Sequence, residues 1–287
     1  MFEGFKLDRV DTGEATITVR HGGSGPPLLL LHGHPQTHVM WHLVAPKLAR
    51  EFTVIAMDLR GYGDSSKPQT TPDHEPYSKR AMARDCVAVM QWLGFKQFHT
   101  VGHDRGARVA YRLALDHSER VSKVALLDIV PTVEHLRRAD MRFALGYWHW
   151  FFLAQPYPLP ERLIGADPDW FFHNRPGRRS VFTKEAEQEY LRCYRNPQTL
   201  HAICEDYRAA VTYDFAVDEA DRGRRKIAGP VLVLWATRGQ LPAWYDVLEV
   251  WSAWADDLRG GPIDSGHFIS EEAPEETYRA LRSFLAG

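Results

Sequence analysis

An aspartate lies between two glycines at the point where an apolar run changes into an amphipathic one. Residues 101–117 read VGHDRGARVAYRLALDH, so that Gly102 and Gly106 flank Asp104. A strand that turns sharply into a helix with this spacing exposes the central side chain to a substrate. A carboxylate nucleophile suits displacement at a saturated carbon, because water can then hydrolyse the resulting ester at its own carbonyl. The pattern therefore indicates a substrate with an alkyl leaving group, either an alkyl halide or an epoxide.

Two further residues follow in the chain order that a catalytic triad with Asp104 requires. Asp128 comes after the apolar run VALL, and His267 lies in the turn PIDSGHF after the short run GGPI. Because ligands bind beyond the carboxyl ends of parallel strands, we expect these side chains to meet Asp104 at one edge of a sheet. We predict that His267, held by Asp128, activates the water that hydrolyses the ester.

Arg105 and Arg108 directly follow the predicted nucleophile. They occupy the first turn of a helix, where the helix dipole disfavours a cation by about 0.3–1 kcal/mol. Residues three apart lie on nearby faces, so the two guanidinium groups could converge on a substrate carboxylate and bind it bidentately. A small 2-halo acid offers both a carboxylate and a halogen-bearing carbon. The alternative is that the arginines pair with surface acids or with Asp104.

The segment LLLLHGHPQTHVMWH (28–42) supplies a loop after an earlier apolar run. We predict that the backbone N–H groups of His34 and Arg105 form a pair of oxyanion donors. In an enzyme with a carboxylate nucleophile, these donors would hold the second oxygen of Asp104 and later the oxyanion of the ester.

Composition limits the partners and the location. The chain has 287 residues, is 44% hydrophobic and 25% charged, and carries a formal net charge of -2. This balance gives no reason to expect nucleic acid or an anionic membrane as a partner. Its apolar runs are far shorter than the roughly 18 residues that a membrane span needs. We expect a cytoplasmic enzyme that needs no cofactor and no metal.

Apolar runs alternate with longer amphipathic stretches, which predicts an α/β fold with a mostly parallel, doubly wound sheet. The opening segment ATITVRHGG (15–23) is expected to be an edge strand of a hairpin that leads into the first parallel strand. The predicted buried strands lie in residues 27–33, 52–61, 98–106, 121–131 and 230–239.

The alternation stops after Pro131 and resumes near Pro230. The intervening residues are rich in aromatic side chains and helical in period, which predicts an inserted helical cap. We assign residues 1–131 and 214–287 to the core and residues 132–213 to the cap. The charged run DEADRGRRK (218–226) is expected to be a solvated connection.

These motifs together resemble the fluoroacetate (haloacetate) dehalogenase family of the α/β-hydrolase superfamily, in which a nucleophile elbow carries aspartate. The most specific of them are GHDRGAR and WHWFFLAQP, and LLLLHGHPQTHVMWH, LLDIVPT, CEDYRA and SGHFISEEAP extend the likeness along nearly the whole chain. The resemblance implies an α/β-hydrolase fold, a homodimer, and a haloacetate and water as substrates. It also implies that Arg105 and Arg108 hold the substrate carboxylate. The halide would be held by donors from the cap, His149, Trp150 and Tyr207.

Two segments depart from the family pattern. The loop that usually reads HGFPQT here reads HGHPQT, so that a second imidazole, His34, is expected near the pocket. The cap between Asp169 and Arg195 is shorter than the usual segment and lacks its tryptophan-containing stretch. Both departures concern the choice of leaving group and the size of the substrate.

Two alternatives stay open on the sequence. One is a haloacid dehalogenase that releases chloride and bromide but not fluoride. The other is an epoxide hydrolase, which shares the Asp-His-Asp residues but requires two cap tyrosines as donors to the epoxide oxygen. The candidates for those donors are Tyr190, Tyr194, Tyr207 and Tyr213.

Overall fold

The computed structural model describes residues 1–174 and 181–287. Within these ranges, the centre of the molecule is an eight-stranded sheet in the order β1-β2-β4-β3-β5-β6-β7-β8. The strands β1 and β2 and the strands β2 and β4 pair antiparallel, and all other neighbours pair parallel. The strands are β1 (Lys6–Asp11), β2 (Thr16–Gly22), β3 (Pro27–Leu31), β4 (Thr53–Met57), β5 (Phe98–His103), β6 (Val121–Leu127), β7 (Val231–Ala236) and β8 (Leu258–Ile263).

The five apolar runs form the buried strands β3 to β7, which confirms the predicted sheet. Leu28, Leu29, Leu30 and Leu31 of β3 are fully buried, because helices cover both faces of this parallel part of the sheet. The same alternation places the carboxyl ends of β3, β5, β6 and β7 at one edge, where the loops that follow them meet.

The prediction that β2 is the edge strand is wrong. β2 pairs with β4 on one side and with β1 on the other, so that β1 forms the edge. Of the six residues of β1, only Val10 is buried. A strand that contributes one buried side chain produces almost no hydrophobic signal in the sequence.

Helices surround the sheet and fill the interval between β6 and β7. They are α1 (Ala45–Leu48), α2 (Lys79–Trp92), α3 (Arg105–Asp116), α4 (Thr132–Arg137), α5 (Met141–Gly146), α6 (Trp148–Leu153), α7 (Leu159–Ala166), α8 (Pro168–Asn174), α9 (Lys184–Tyr194), α10 (Pro197–Ala209), α11 (Phe215–Asp221), α12 (Leu241–Trp244), α13 (Val247–Ser252), α14 (Ile269–Glu272) and α15 (Pro274–Ala286). A π-helical turn, Ala210–Asp214, joins α10 to α11. Across the described residues, none of these helices is long and apolar enough to cross a membrane. The division into a core and a cap at residues 131 and 214 stays a prediction.

The expectation that residues 218–226 form a solvated connection is wrong at its first residues. Asp218 is buried and accepts hydrogen bonds from Arg112 at 2.7 Å and from the Tyr111 hydroxyl at 2.5 Å. Asp221, also buried, accepts a hydrogen bond from Arg112 at 2.6 Å. The guanidinium of Arg112 on α3 therefore pairs with both of these acids, which are residues of α11. Charge composition alone cannot reveal a partner that lies more than 100 residues away.

Candidate active site

Asp104 lies in a tight turn between β5 and α3. Glycines two residues before and two residues after Asp104 make this turn possible. Its backbone has a φ of 47° and a ψ of -116°, an unusual conformation that marks a strained, functional turn. A Cβ at Gly102 would lie 2.4 Å from the carbonyl oxygen of Gly106, and a Cβ at Gly106 would lie 2.4 Å from the carbonyl oxygen of His32. The two glycines are therefore required for close packing of strand, turn and helix.

The Asp104 carboxylate is buried but held in its ionised form. The backbone N–H of His34 donates to its Oδ2 at 3.0 Å, the contact expected of one oxyanion donor. Burial by itself raises the pKa of Asp104, but nearby imidazole and guanidinium groups, His267 first among them, hold that pKa below its usual value. An ionised carboxylate with little water around it is suited to nucleophilic attack. The second predicted donor, the backbone N–H of Arg105, stays a prediction.

Asp128 and His267 form a close pair although they are far apart in the chain. Nδ1 of His267 lies 2.6 Å from Oδ2 of Asp128, and the backbone N–H of Ala236 donates to the other carboxylate oxygen at 2.9 Å. Burial lowers the pKa of His267, but the hydrogen bond and charge of Asp128 outweigh that effect and raise it. With Nδ1–H directed at Asp128, the nitrogen Nε2 is left to take a proton.

A cavity of about 200 Å³ lies at the ends of the strands and brings most of the predicted site residues together. A volume of this size suits a substrate of only a few non-hydrogen atoms. The predicted residues that line it are Asp104, Asp128, His267, Arg108, His149, Trp150, Tyr207 and His34. The further lining residues are Gly146, Tyr147, Trp148, Arg238, Gly239, Gln240, Gly266 and Phe268.

The two arginines are not equivalent. Arg105 is fully buried and forms a bidentate ion pair with Asp206, with N–O distances of 2.6 and 2.9 Å, and it does not line the cavity. Among the described residues, its Nη1 has no hydrogen-bond partner. Burial lowers the pKa of Arg105, but Asp206 outweighs burial and raises it well above its usual value.

Arg108, by contrast, is a buried cation that reaches the cavity without a carboxylate partner within the part of the chain that the structure describes. Its Nη1 donates to the carbonyl of Val130 at 3.0 Å and to the Thr132 hydroxyl at 3.1 Å, and its Nε has no hydrogen-bond partner there. Burial and the repulsion of Arg105 lower the pKa of Arg108. An isolated buried charge is costly, so an anion bound in the cavity would be stabilised by it.

Three predicted halide donors on α6 and α10 also line the cavity. The ring of Tyr207 on α10 lies 6.0 Å from that of His149 and 5.8 Å from that of Trp150, both on α6. The guanidinium of Arg105 lies over the Tyr207 ring at 4.3 Å, and that of Arg108 lies over Trp150 at 4.5 Å. These contacts fix the aromatic wall against the arginines.

His34, the departure from the family loop, lines the cavity. Its ring lies 5.7 Å from the ring of Tyr207 and 6.5 Å from that of Tyr62. It therefore contributes an imidazole next to a predicted halide donor. The second departure, the shortened cap segment between Asp169 and Arg195, falls partly on residues 175–180, which lie outside the described residues.

Sequence reasoning missed Asp206 and Tyr147. Asp206 lies beside Tyr207 in the quoted motif CEDYRA, but its partner Arg105 is 101 residues away. Tyr147 directly precedes the WHWFFL segment and lines the cavity, where burial and the charge of Asp128 raise its pKa. Its position two residues before His149, directly before the quoted motif, is the signal that could have identified it.

Comparison with known proteins supports the relationship that the motifs indicate. A family model described as alpha/beta hydrolase fold matches residues 26–274. A fluoroacetate dehalogenase from Burkholderia sp. is 46% identical, over 100% of this chain and 95% of its own length. The chain belongs to the fluoroacetate dehalogenase family of α/β hydrolases. As a member of this family, it is a hydrolase.

Other members of the superfamily are also similar to the chain. A solved α/β hydrolase from Nostoc sp. PCC 7120 superimposes with a TM-score of 0.96 at 55% identity, covering 99% of both chains. A soluble epoxide hydrolase from Corynebacterium sp. (strain C12) is 32% identical over 92% of this chain and 91% of its own length. The fluoroacetate dehalogenase family therefore shares this architecture with enzymes that act on a different electrophile.

Proposed function

We propose that this hydrolase acts on carbon–halide bonds, removing halide from haloacetates such as fluoroacetate and chloroacetate to give glycolate. The observation that carries the proposal is the guanidinium of Arg108, which has no carboxylate partner within the described residues, in a cavity of about 200 Å³ that also contains the Asp104 carboxylate. A haloacetate is small enough for this space, and its carboxylate neutralises Arg108. The opposite end of the substrate is then directed at the nucleophile.

The first step is displacement at the halogen-bearing carbon. An oxygen of Asp104 forms a bond to that carbon, the carbon–halogen bond breaks, and the halide leaves with the bonding electrons. The product is an ester between Asp104 and glycolate. The N–H of His34, which donates to Oδ2 of Asp104 at 3.0 Å, orients the carboxylate for this attack. Fluoride is strongly hydrated in water, so His149, Trp150 and Tyr207 would have to replace that hydration.

The second step is hydrolysis of the ester. His267 takes a proton from water, and the hydroxide adds to the carbonyl carbon of the Asp104 side chain. The N–H of His34 stabilises the charge that develops on the carbonyl oxygen. The ester bond then breaks, glycolate leaves with the proton from His267, and the Asp104 carboxyl group, which carries the proton of the added hydroxide, releases that proton to solvent and becomes a carboxylate again. The sum is haloacetate plus water giving glycolate, halide and one proton.

The experiment that tests the proposal compares fluoroacetate, chloroacetate and styrene oxide under identical conditions. We expect halide and glycolate from chloroacetate, and fluoride from fluoroacetate. Release of chloride without fluoride would identify the enzyme as a haloacid dehalogenase unable to cleave the carbon–fluorine bond. Turnover of styrene oxide with no halide release from either acid would contradict the proposal.

Epoxide hydrolysis is a second candidate because two tyrosines, Tyr147 and Tyr207, line the cavity. Of the four tyrosines that the sequence suggested, only Tyr207 is among the described residues that line the cavity. Tyr190, which donates to Glu271 at 3.0 Å, Tyr194 and Tyr213 do not line it. An epoxide carries no charge and cannot neutralise Arg108. The buried guanidinium therefore favours a carboxylate substrate.

Replacing Arg108 by leucine separates recognition of the carboxylate from the displacement chemistry. We expect Arg108→Leu to lower kcat/KM for chloroacetate by about 10²- to 10³-fold, since an interaction with a buried charge is lost. The neutral analogue chloroacetamide is nearly the same size and should lose far less. The substitution also removes the hydrogen bonds to the Val130 carbonyl and the Thr132 hydroxyl, so the comparison between the two substrates, and not the Tm, isolates the loss of the charge. Equal losses on both substrates, measured as chloride release, would contradict the role of Arg108.

Homodimerisation and a cytoplasmic location stay predictions. One observation bears on the first of them. Large apolar side chains are exposed on three helices between β6 and β7: Met141 and Leu145 on α5, Leu163 on α7 and Trp170 on α8, which are 59–76% accessible. Where such side chains form one contiguous patch, that patch commonly marks an interface with another protein, and homodimerisation would require such an interface.

A further inference from the structure

The catalytic histidine lies in an irregular segment rather than on a helix or strand. His267 follows β8 and precedes α14, so that no regular backbone pairing fixes its main chain. Glu272, at the end of α14, supplies the missing constraint. Its Oε2 accepts the backbone N–H of Gly266 at 2.7 Å, and its Oε1 accepts that of Phe268 at 3.1 Å. One carboxylate thus holds the peptide groups on both sides of His267.

The residue before His267 is a glycine, and the absence of a side chain there leaves room for the Glu272 carboxylate. A Cβ at Gly266 would lie 2.7 Å from Oε1 and 2.8 Å from Oε2 of Glu272. Real side chains do not approach so closely, so any larger residue would displace the carboxylate. Glycine at position 266 and glutamate at position 272 therefore form a matched pair.

A third contact completes the support of the loop. Nε2 of His103 lies 2.7 Å from the carbonyl oxygen of His267 and donates to it. Burial lowers the pKa of His103 to about 4, so that at neutral pH its imidazole is an uncharged donor that adds no positive charge beside His267. The carbonyl of His267 is thus held by His103, and the flanking N–H groups are held by Glu272.

The neighbouring acid shows that this arrangement is specific to one side chain. Glu271 directs its carboxyl away from the loop, where it accepts hydrogen bonds from the Gln36 amide and, at 3.0 Å, from the Tyr190 hydroxyl. Glu272 instead faces His267's loop and, on its outer side, Arg238 at 3.7 Å. Only the second of these adjacent acids contacts the backbone next to the catalytic imidazole.

We propose that Glu272 is a positioning residue that holds His267 for ester hydrolysis by binding the peptide N–H groups on either side of it. This inference rests on the proposed function. It acts on one half of the reaction only, because displacement of halide by Asp104 needs no base, whereas the attack of water needs Nε2 of His267 in place. A loose loop should therefore slow hydrolysis and leave ester formation intact.

The test uses single-turnover reactions of the full-length enzyme with chloroacetate. Chloride release reports ester formation, and glycolate release reports hydrolysis. In Glu272→Gln the amide nitrogen would face a peptide N–H, so one of the two bonds is lost. We expect glycolate release to slow by about 10- to 100-fold, the range that a displacement of about 1 Å produces, with chloride release unchanged. The amplitude of the chloride burst counts the correctly folded sites.

Two further variants complete the experiment. Gly266→Ala keeps Glu272 but displaces its carboxylate, and serves even if Glu272→Gln folds poorly. Because Gly266 also lines the cavity, the readout is the rate of glycolate release relative to that of chloride release at saturating chloroacetate, and this ratio should fall as in Glu272→Gln. Glu275→Gln makes the same change of charge three residues away, at an exposed side chain that pairs with Lys47, and should behave as the wild type. Equal slowing of both products, or no slowing in either active-site variant, would overturn the inference. Absence of chloride release from the wild type would instead overturn the proposed function.

Discussion

Replacing Asp104 by asparagine is expected to abolish halide release from chloroacetate, with a loss of about 10⁴-fold or more. An amide oxygen is a poor nucleophile, and among the described residues that line the cavity no other carboxylate can substitute. The second acid that lines it, Asp128, is committed to His267 and to the N–H of Ala236. Asparagine also accepts the positive φ of 47° at this turn better than most residues do. Loss of activity would therefore reflect the chemistry and not the fold.

Binding and chemistry can be separated in the same variant. Asp104→Asn removes a negative charge from a cavity that must also hold an anion, so chloroacetate should bind at least as tightly as to the wild type. A ligand-induced rise of Tm measures this. The control is Asp264→Asn, which changes a carboxylate with a side chain that is 79% exposed and should keep full activity. Undiminished chloride release from Asp104→Asn would exclude the covalent mechanism.

Replacing His267 by asparagine should have an equally large effect on turnover but leave the first step intact. The guanidinium groups of Arg105 and Arg108 still favour an ionised Asp104 when His267 is absent, so displacement proceeds and releases one halide per site. The ester then lacks its base and accumulates. Mass spectrometry should find a carboxymethyl group on the peptide that contains Asp104. If turnover stops and no adduct forms, His267 is not the base for hydrolysis.

The two steps should also differ in their pH dependence. Asp104 has a lowered pKa, so ester formation needs no deprotonation near neutral pH. His267 must be uncharged to accept a proton from water, and its pKa is raised above the usual 6.5. Glycolate release should therefore fall as the pH drops through a value above 6.5, while the chloride burst does not. Stopped-flow and quenched reactions over a pH series would measure the difference.

Local sequence alone determined the sheet and the order of the catalytic candidates. Apolar runs that alternate with amphipathic stretches define parallel strands, and the loops after the carboxyl ends of parallel strands lie at one edge of the sheet. That rule brings Asp128 and His267, 139 residues apart, to the same place, where the structure joins them at 2.6 Å. The turn at Asp104 could also be predicted from the sequence, because close packing around the turn requires the two glycines that flank Asp104 in the motif.

Only the tertiary structure decided which buried charged side chain pairs with which partner. Arg105 and Arg108 look alike in the sequence, yet Asp206 neutralises the first, while the second reaches the cavity without a carboxylate among the described residues. The role of Glu272 depends likewise on how its helix folds back beside His267. The physical reason is that periodicity records which side chains are buried, whereas the partner of a buried charge is set by distances between elements far apart in the chain. Those distances exist only once the sheet, its loops and the helices above it have packed together.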